Sequence, residues 1–246
     1  MNNGFLLDDI KKESFTRQDI LKSACKGISG FKETDMRNLL EGLMEDGSLV
    51  RVGRNLYMRR SDAVSEREYV PVYSEEALKL IGDIRDRNPY VDFQVWELNW
   101  FNEFLVHMVA RNIVFLDVEN EGCEFVYTSL YEDYIGRMLL KPSPKELLYY
   151  VQPEGIIIER QVSESPRRKE NGYETPIEKL IVELFANKIL RSMISQGDYP
   201  HMIDSIFDKY SVDQVKMLRY ARRRNKKDEL VRFLKDNTNV RLLVEA

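Results

Sequence analysis

Cysteine is scarce in this sequence, with Cys25 and Cys123 the only two in 246 residues, far apart and in no metal-ligand spacing. A disulfide framework or a zinc module is not indicated, and a reducing cytoplasm is the expected compartment. A signal peptide and any long uncharged apolar run are also missing, so no membrane partner is expected. Histidine is as rare as cysteine: His107 lies in an apolar run read as helical and is expected to be a core or interface residue, and His201 follows Tyr199-Pro200 in an expected loop. No catalytic triad, zinc ligand set or phosphate-binding glycine loop is visible, so neither an enzyme nor a cofactor is expected. Charge of one sign is lacking too. The 37 Lys and Arg against 41 Asp and Glu leave a net charge of -4, which excludes a basic nucleic-acid coat. Any DNA contact must therefore come from a local patch.

Such a patch lies at the N-terminus. Residues 1–60 carry eleven Lys and Arg against nine acids, whereas the remainder carries 26 against 32. From Ser48 to Arg60 there are four arginines (Arg51, Arg54, Arg59, Arg60) and no acid. Each can neutralise a phosphate, which makes affinity fall with salt. Before this stretch come three short amphipathic segments. Phe5, Leu6, Leu7 and Ile10 form one apolar face; Thr16 and Asp19 signal a cap that opens a second helix burying Ile20, Leu21 and Cys25. In the third, Met36, Leu39, Leu40, Leu43 and Met44 fall at i, i+3, i+4, i+7 and i+8, which leaves Lys32, Thr34, Arg37, Asn38 and Glu41 outward. Gly47 ends it. Residues 32–46 are the expected recognition helix, because outward Thr, Arg and Asn suit base edges and phosphates. Gly53-Arg54-Asn55, between runs rich in Val, Leu and Tyr, marks a hairpin with a basic turn. Together these predict a winged helix-turn-helix over 1–60, with Lys32, Thr34, Arg37, Asn38, Arg51, Arg54, Asn55, Arg59 and Arg60 as DNA-binding residues.

Residues 61–72 are polar, aperiodic and hold a proline, and read as a linker. Beyond it, 73–246 reads as a mixed α/β domain with C-terminal helices. Ser74 caps a helix with Ala77, Leu78 and Ile81 inward; Val91–Leu98 and Asn112–Glu119 read as strands around a helix from Trp100 to Ala110. Strands near Met138–Leu140 and Ile156–Glu159 flank a helical Pro144–Val151. Thr175-Pro176-Ile177-Glu178 combines an N-cap, a proline at the first helical position and a capping-box acid. Near the end, Lys216, Arg219, Arg222, Arg223, Arg224, Lys226 and Lys227 form a second basic stretch without an acid before Asp228. It suits nucleic acid, an acidic partner or a helix C-terminus equally. The overall class is α+β.

Three landmarks together resemble the AbiEi family of type IV antitoxins: Gly47-Ser48-Leu49-Val50-Arg51-Val52-Gly53-Arg54-Asn55-Leu56-Tyr57, Thr175-Pro176-Ile177-Glu178-Lys179-Leu180-Ile181-Val182-Glu183-Leu184, and Leu218-Arg219-Tyr220-Ala221-Arg222-Arg223-Arg224. Their order is similar as well. Family members often have glycine before the wing-strand aromatic, where this chain has Asn55-Leu56. The resemblance implies a winged helix-turn-helix that represses its own promoter, and a C-terminal domain that opposes a nucleotidyltransferase-like toxin.

Other readings compete. Asp92, Glu97, Asp117 and Glu119 lie in or beside candidate strands, as the metal-binding acids of restriction-type nucleases do. Such enzymes place a lysine two residues past the second acid, where Asp117-Val118-Glu119-Asn120-Glu121 has another acid. A metal-dependent nuclease, or an inactive descendant of one, is thus the alternative, with Asp117 and Glu119 as vestigial ligands or structural charges. A third reading has the C-terminal domain sense a small ligand. Trp96, Trp100, Phe101 and Phe104 suit core packing or, if exposed, a toxin-binding face.

Overall fold

The computed structural model describes residues 5–12, 14–45, 48–53, 55–59, 67–119, 121–146, 154–168 and 172–243. The chain is a mixed α+β protein, and each part follows from a local rule. Helix α1 (Phe5–Asp8) turns Leu6 and Leu7 inward. Strand β1 (Ser14–Thr16) leads directly into α2 (Arg17–Gly27). The junction is a capping box: the Thr16 hydroxyl accepts the Asp19 N–H, and the Asp19 carboxylate accepts the Thr16 N–H at 2.9 Å. That backbone bond holds the Asp19 carboxyl down at about 2. A single 3-10 turn over Glu33–Asp35 opens α3 (Met36–Glu45), whose buried stripe is Met36, Leu39, Leu40 and Leu43. Strands β2 (Leu49–Gly53) and β3 (Leu56–Arg59) form an antiparallel hairpin, with β3 between β1 and β2.

This small sheet has two apolar faces. Phe15, Leu49 and Tyr57 pack on the helices, while Leu56 and Met58 pack against Val215 and Leu243 from the far end of the chain. A C-terminal strap holds the contact. Ser14 Oγ donates to the Leu243 carbonyl at 3.2 Å, and Gln214 bonds the backbones of Arg241 and Leu243 at 2.9 and 2.8 Å.

The second sheet contains β4 (Phe93–Glu97), β5 (Asn112–Val118), β6 (Met138–Leu140) and β7 (Glu154–Arg160) in the order β4-β5-β7-β6. Strand β4 runs antiparallel to β5, and β5, β7 and β6 are mutually parallel. Helices α4 (Glu75–Arg87) and α5 (Cys123–Leu130) cover the face of Val95, Val114, Leu116, Val118, Ile156 and Ile158. The opposite face, with Trp96, Ile113, Phe115 and Ile157, meets α6 (Ile177–Ala186), α7 (Lys188–Met193), α8 (Tyr199–Lys209), α9 (Gln214–Arg223) and α10 (Lys227–Asn237). Burial on both sides is why Ile113–Leu116 and Ile156–Ile158 are continuous apolar runs. Among the described residues no helix is long and apolar enough to cross a membrane.

Several local expectations change. Cys25 is exposed, because the buried residues of α2 are Ile20, Ser23 and Ala24 and one further residue turns about 100° away. Leu78 and Met44 are exposed for the same reason, one step off the stripes of α4 and α3. The helix expected from Trp100 to Ala110 is a 3-10 segment, Leu98–Glu103, followed by a loop. The Asn102 side chain closes that loop by bonding both the N–H and the carbonyl of Val109, at 2.7 and 3.2 Å, which competes with helical bonding. His107 therefore lies exposed in the loop, and His201 lies in α8, started by Pro200 in its first turn. Pro176, not Thr175, is the N-cap of α6; the Thr175 hydroxyl is buried without a partner among the described residues. Glu178, expected to close the capping box, instead accepts the Asp213 N–H at the start of α9, at 2.9 Å. In the second half of the expected linker Tyr69 is buried against Trp100, Phe104 and Tyr210, while Val70 and Val72 are exposed. Residues 61–66 lie outside the described residues, as does the expected helix 144–151 from residue 147 onward.

Candidate nucleic-acid interface

The outward face of α3 and its leading turn exposes Lys32, Thr34, Arg37 and Asn38 together. Acids share this surface. The Asp35 carboxylate accepts the Lys32 N–H at 3.0 Å, and Arg37 pairs with Glu41 one turn on at 2.9 Å. On β2, Arg51 is exposed. Arg54 and Arg60 lie outside the described residues.

Two other expected contacts have work inside the module. Asn55 occupies the left-handed region at φ 59°, a conformation asparagine tolerates better than most residues. Its side-chain oxygen accepts the Arg17 N–H at 3.1 Å, which ties the hairpin turn to the first residue of α2. Arg59 donates to the carbonyls of Leu7, Ile10 and Lys12, and its guanidinium lies 5.7 Å from the centre of the Phe15 ring. It thus ties β3 to the end of α1 and to the segment that follows it.

The second basic stretch is divided by the turn of α9. Arg219 and Arg223 face outward to Glu164, and Lys226 pairs with Glu229 on α10. Arg224 turns inward and binds Glu183 of α6 at 2.7 Å. Arg222 is exposed, while Lys216 and Lys227 are half-buried. The stretch is therefore not one continuous positive surface.

The four strand acids do not converge either. Asp92 forms a two-armed ion pair with Arg167. Glu97 is buried and accepts the Ser74 N–H at 2.8 Å and an amide N–H of Asn112. Glu119 accepts the Asp92 N–H at 3.2 Å. Asp117 accepts the Trp96 indole N–H at 2.9 Å and carries the ammonium of Lys179. Among the described residues no three His, Cys, Asp or Glu side chains are grouped to hold a metal ion. The aromatics Trp96, Trp100, Phe101 and Phe104 are core: Trp96 stacks on Phe115 across β4 and β5 with ring centres 3.8 Å apart.

Sequence reasoning passed over a buried polar cluster at the carboxyl ends of β5 and β7. Asp117 and Glu159 sit side by side in register; Lys179, Glu183, Tyr220 and Arg224 come in from α6 and α9. Burial, Asp117 and Glu183 together push the Glu159 carboxyl up to about 7. The legible signal is Lys179 and Glu183, four residues apart in a helix whose remaining residues apart from Glu178 are apolar, since a charge on a buried helix face needs a partner.

The chain belongs to a family of unknown function, DUF6577, which matches residues 35–240. No curated protein matches it. It is similar to the solved structure of the RV2827C protein from Mycobacterium tuberculosis at 10% identity and a TM-score of 0.25, over 99% of this chain and 85% of that one.

Proposed function

We propose that this DUF6577 member is a DNA-binding transcriptional repressor whose N-terminal module is a winged helix-turn-helix, with α2 and α3 as the paired helices and β2–β3 as the wing. The observation that carries this is the joint exposure of Lys32, Thr34, Arg37 and Asn38 opposite the buried stripe of α3, next to a hairpin strand that exposes Arg51. On this reading α3 enters the major groove, where Arg37 and Asn38 meet base edges or phosphates. Arg51 and Arg54 hold the backbone. The Arg37–Glu41 pair is no obstacle, because both partners are exposed, water screens the pair, and Arg37 can exchange it for a phosphate. The resemblance to AbiEi antitoxins supports a self-regulating promoter as the DNA target. It also supports assigning the region beyond residue 72 the task of opposing a nucleotidyltransferase-like toxin.

The test is a gel-shift titration against the DNA upstream of the protein's own reading frame at two salt concentrations, with an Arg37→Ala/Asn38→Ala/Arg51→Ala variant in parallel. Salt-sensitive binding that collapses in the variant supports the repressor. No binding by the intact protein sinks it. Mg²⁺ in a companion reaction reads out the nuclease alternative directly, as cleavage.

A further inference from the structure

The polar cluster beside the sheet opens into a cavity of about 250 Å³ lined by Asp117, Lys141, Glu159, Arg160, Tyr220 and Arg224, among others. Its position is the one that α/β sheets use for ligands, outside the carboxyl ends of parallel strands: Lys141 follows β6, Arg160 ends β7 and Asp117 is next to last on β5. The acids of the cavity are already engaged. Asp117 carries Lys179, and Glu183 accepts the Tyr220 hydroxyl and binds Arg224.

The cations are less committed. Among the described residues, Lys141 and Arg160 have no salt bridge and no side-chain hydrogen bond, and the Arg224 Nε is buried without a partner. Lys141 also holds a left-handed backbone at φ 46°, which is uncommon for a residue with a side chain and frequent at functional sites. The unneutralised charge in the cavity is thus positive. Glu159, with its carboxyl raised toward neutrality, adds a hydrogen-bond donor beside these cations when protonated.

From this geometry we infer that the cavity is a binding site for a small phosphate monoester, with its phosphoryl group held by Lys141 and Arg160. Two uncommitted cations suit a dianion better than a singly charged carboxylate, and paired guanidinium and ammonium groups are the usual phosphoryl ligands. The volume lies below the range of about 300–1,000 Å³ typical of drug-sized ligands, so the organic part is small.

The test uses the full chain and isothermal titration in a chloride buffer, with inorganic phosphate, glycerol 3-phosphate and acetate as probes. The expected result is binding of phosphate or glycerol 3-phosphate, with acetate at least tenfold weaker. In Lys141→Asn/Arg160→Gln the affinity falls at least tenfold while the thermal midpoint of the free protein stays put. Asparagine keeps the left-handed backbone at position 141, and both side chains are exposed, so folding is not at stake. No binding of either phosphate probe by the intact protein overturns the proposal. Acetate binding as tightly as phosphate, or unchanged phosphate affinity in the double variant, overturns it equally. DNA plays no part in the measurement, so its outcome is independent of the repressor reading.

Discussion

The ammonium of Lys179 on α6 rests against the carboxylate of Asp117 on β5, and both side chains are buried. Sixty-two residues separate them in sequence. The Trp96 indole N–H completes the carboxylate's coordination, so the pair locks helix to sheet at the end of the strand. Lys179→Met leaves Asp117 charged and unpaired, and a loss of about 3–5 kcal/mol is expected in urea unfolding. Adding Asp117→Leu removes the orphaned charge and restores most of that loss. A single variant as stable as the parent would show that the pair contributes nothing.

Glu159 predicts a pH effect of the opposite sense from the usual one for an acid. Its carboxyl sits at about 7 in the folded chain, above the ordinary glutamate value of 4.5, because of burial and the neighbouring Asp117 and Glu183. A raised folded value means that protonation favours the fold: the favourable contribution is full below about 4.5 and is lost as pH rises through 7. Glu159→Gln keeps an acceptor for Asn187, which donates to Glu159 at 2.7 Å. It should stabilise the protein by about 1–2 kcal/mol at pH 8, less than the full shift implies because the residue is partly exposed. The gain vanishes near pH 4.5, as thermal unfolding across this range will show.

Thr16 and Asp19 make the start of α2 depend on one capping box. Thr16→Ala should cost about 1 kcal/mol. The Asp19 carboxyl at about 2 contributes stability above its ordinary value of 3.8 that is lost as pH falls through 2. Thr16→Ala keeps the backbone N–H that holds this carboxyl down, so most of the acid sensitivity should remain in it and disappear only in Asp19→Asn, a comparison that unfolding midpoints at pH 2, 3 and 6 can make.

Arg51 and Arg59 separate binding from folding within one hairpin. Arg51 is exposed, so Arg51→Ala should lower the slope of log affinity against log salt by about 1 while leaving the thermal midpoint nearly unchanged. Arg59 serves the carbonyls of Leu7, Ile10 and Lys12. Arg59→Ala should cost about 1–3 kcal/mol of stability. Equal effects of the two variants on salt dependence, with no change in stability, would reverse this assignment.

Much of the fold is legible locally. The box at Thr16 and Asp19, the stripe Met36-Leu39-Leu40-Leu43, and the apolar runs of β5 and β7 all follow from neighbours a few residues apart. Local pattern fails where a distant group makes a better offer. Glu178 leaves its own helix end for the Asp213 N–H, Asn102 folds the chain back on Val109, and Arg59 turns from solvent to α1.

The same division holds for the candidate sites. Spacing by itself determined which residues of α3 point outward, because a helix turns about 100° per residue whatever surrounds it. Only the tertiary structure decided that Asp117, Glu159, Glu183 and Arg224 share one cavity wall, since they come from two strands, a helix and the residue that follows another helix. Their meeting depends on the register of β5 with β7 and on how α6 and α9 pack across the sheet. Hydrophobic periodicity dictates which face of an element is buried, but it carries no information about which buried charge will lie opposite which.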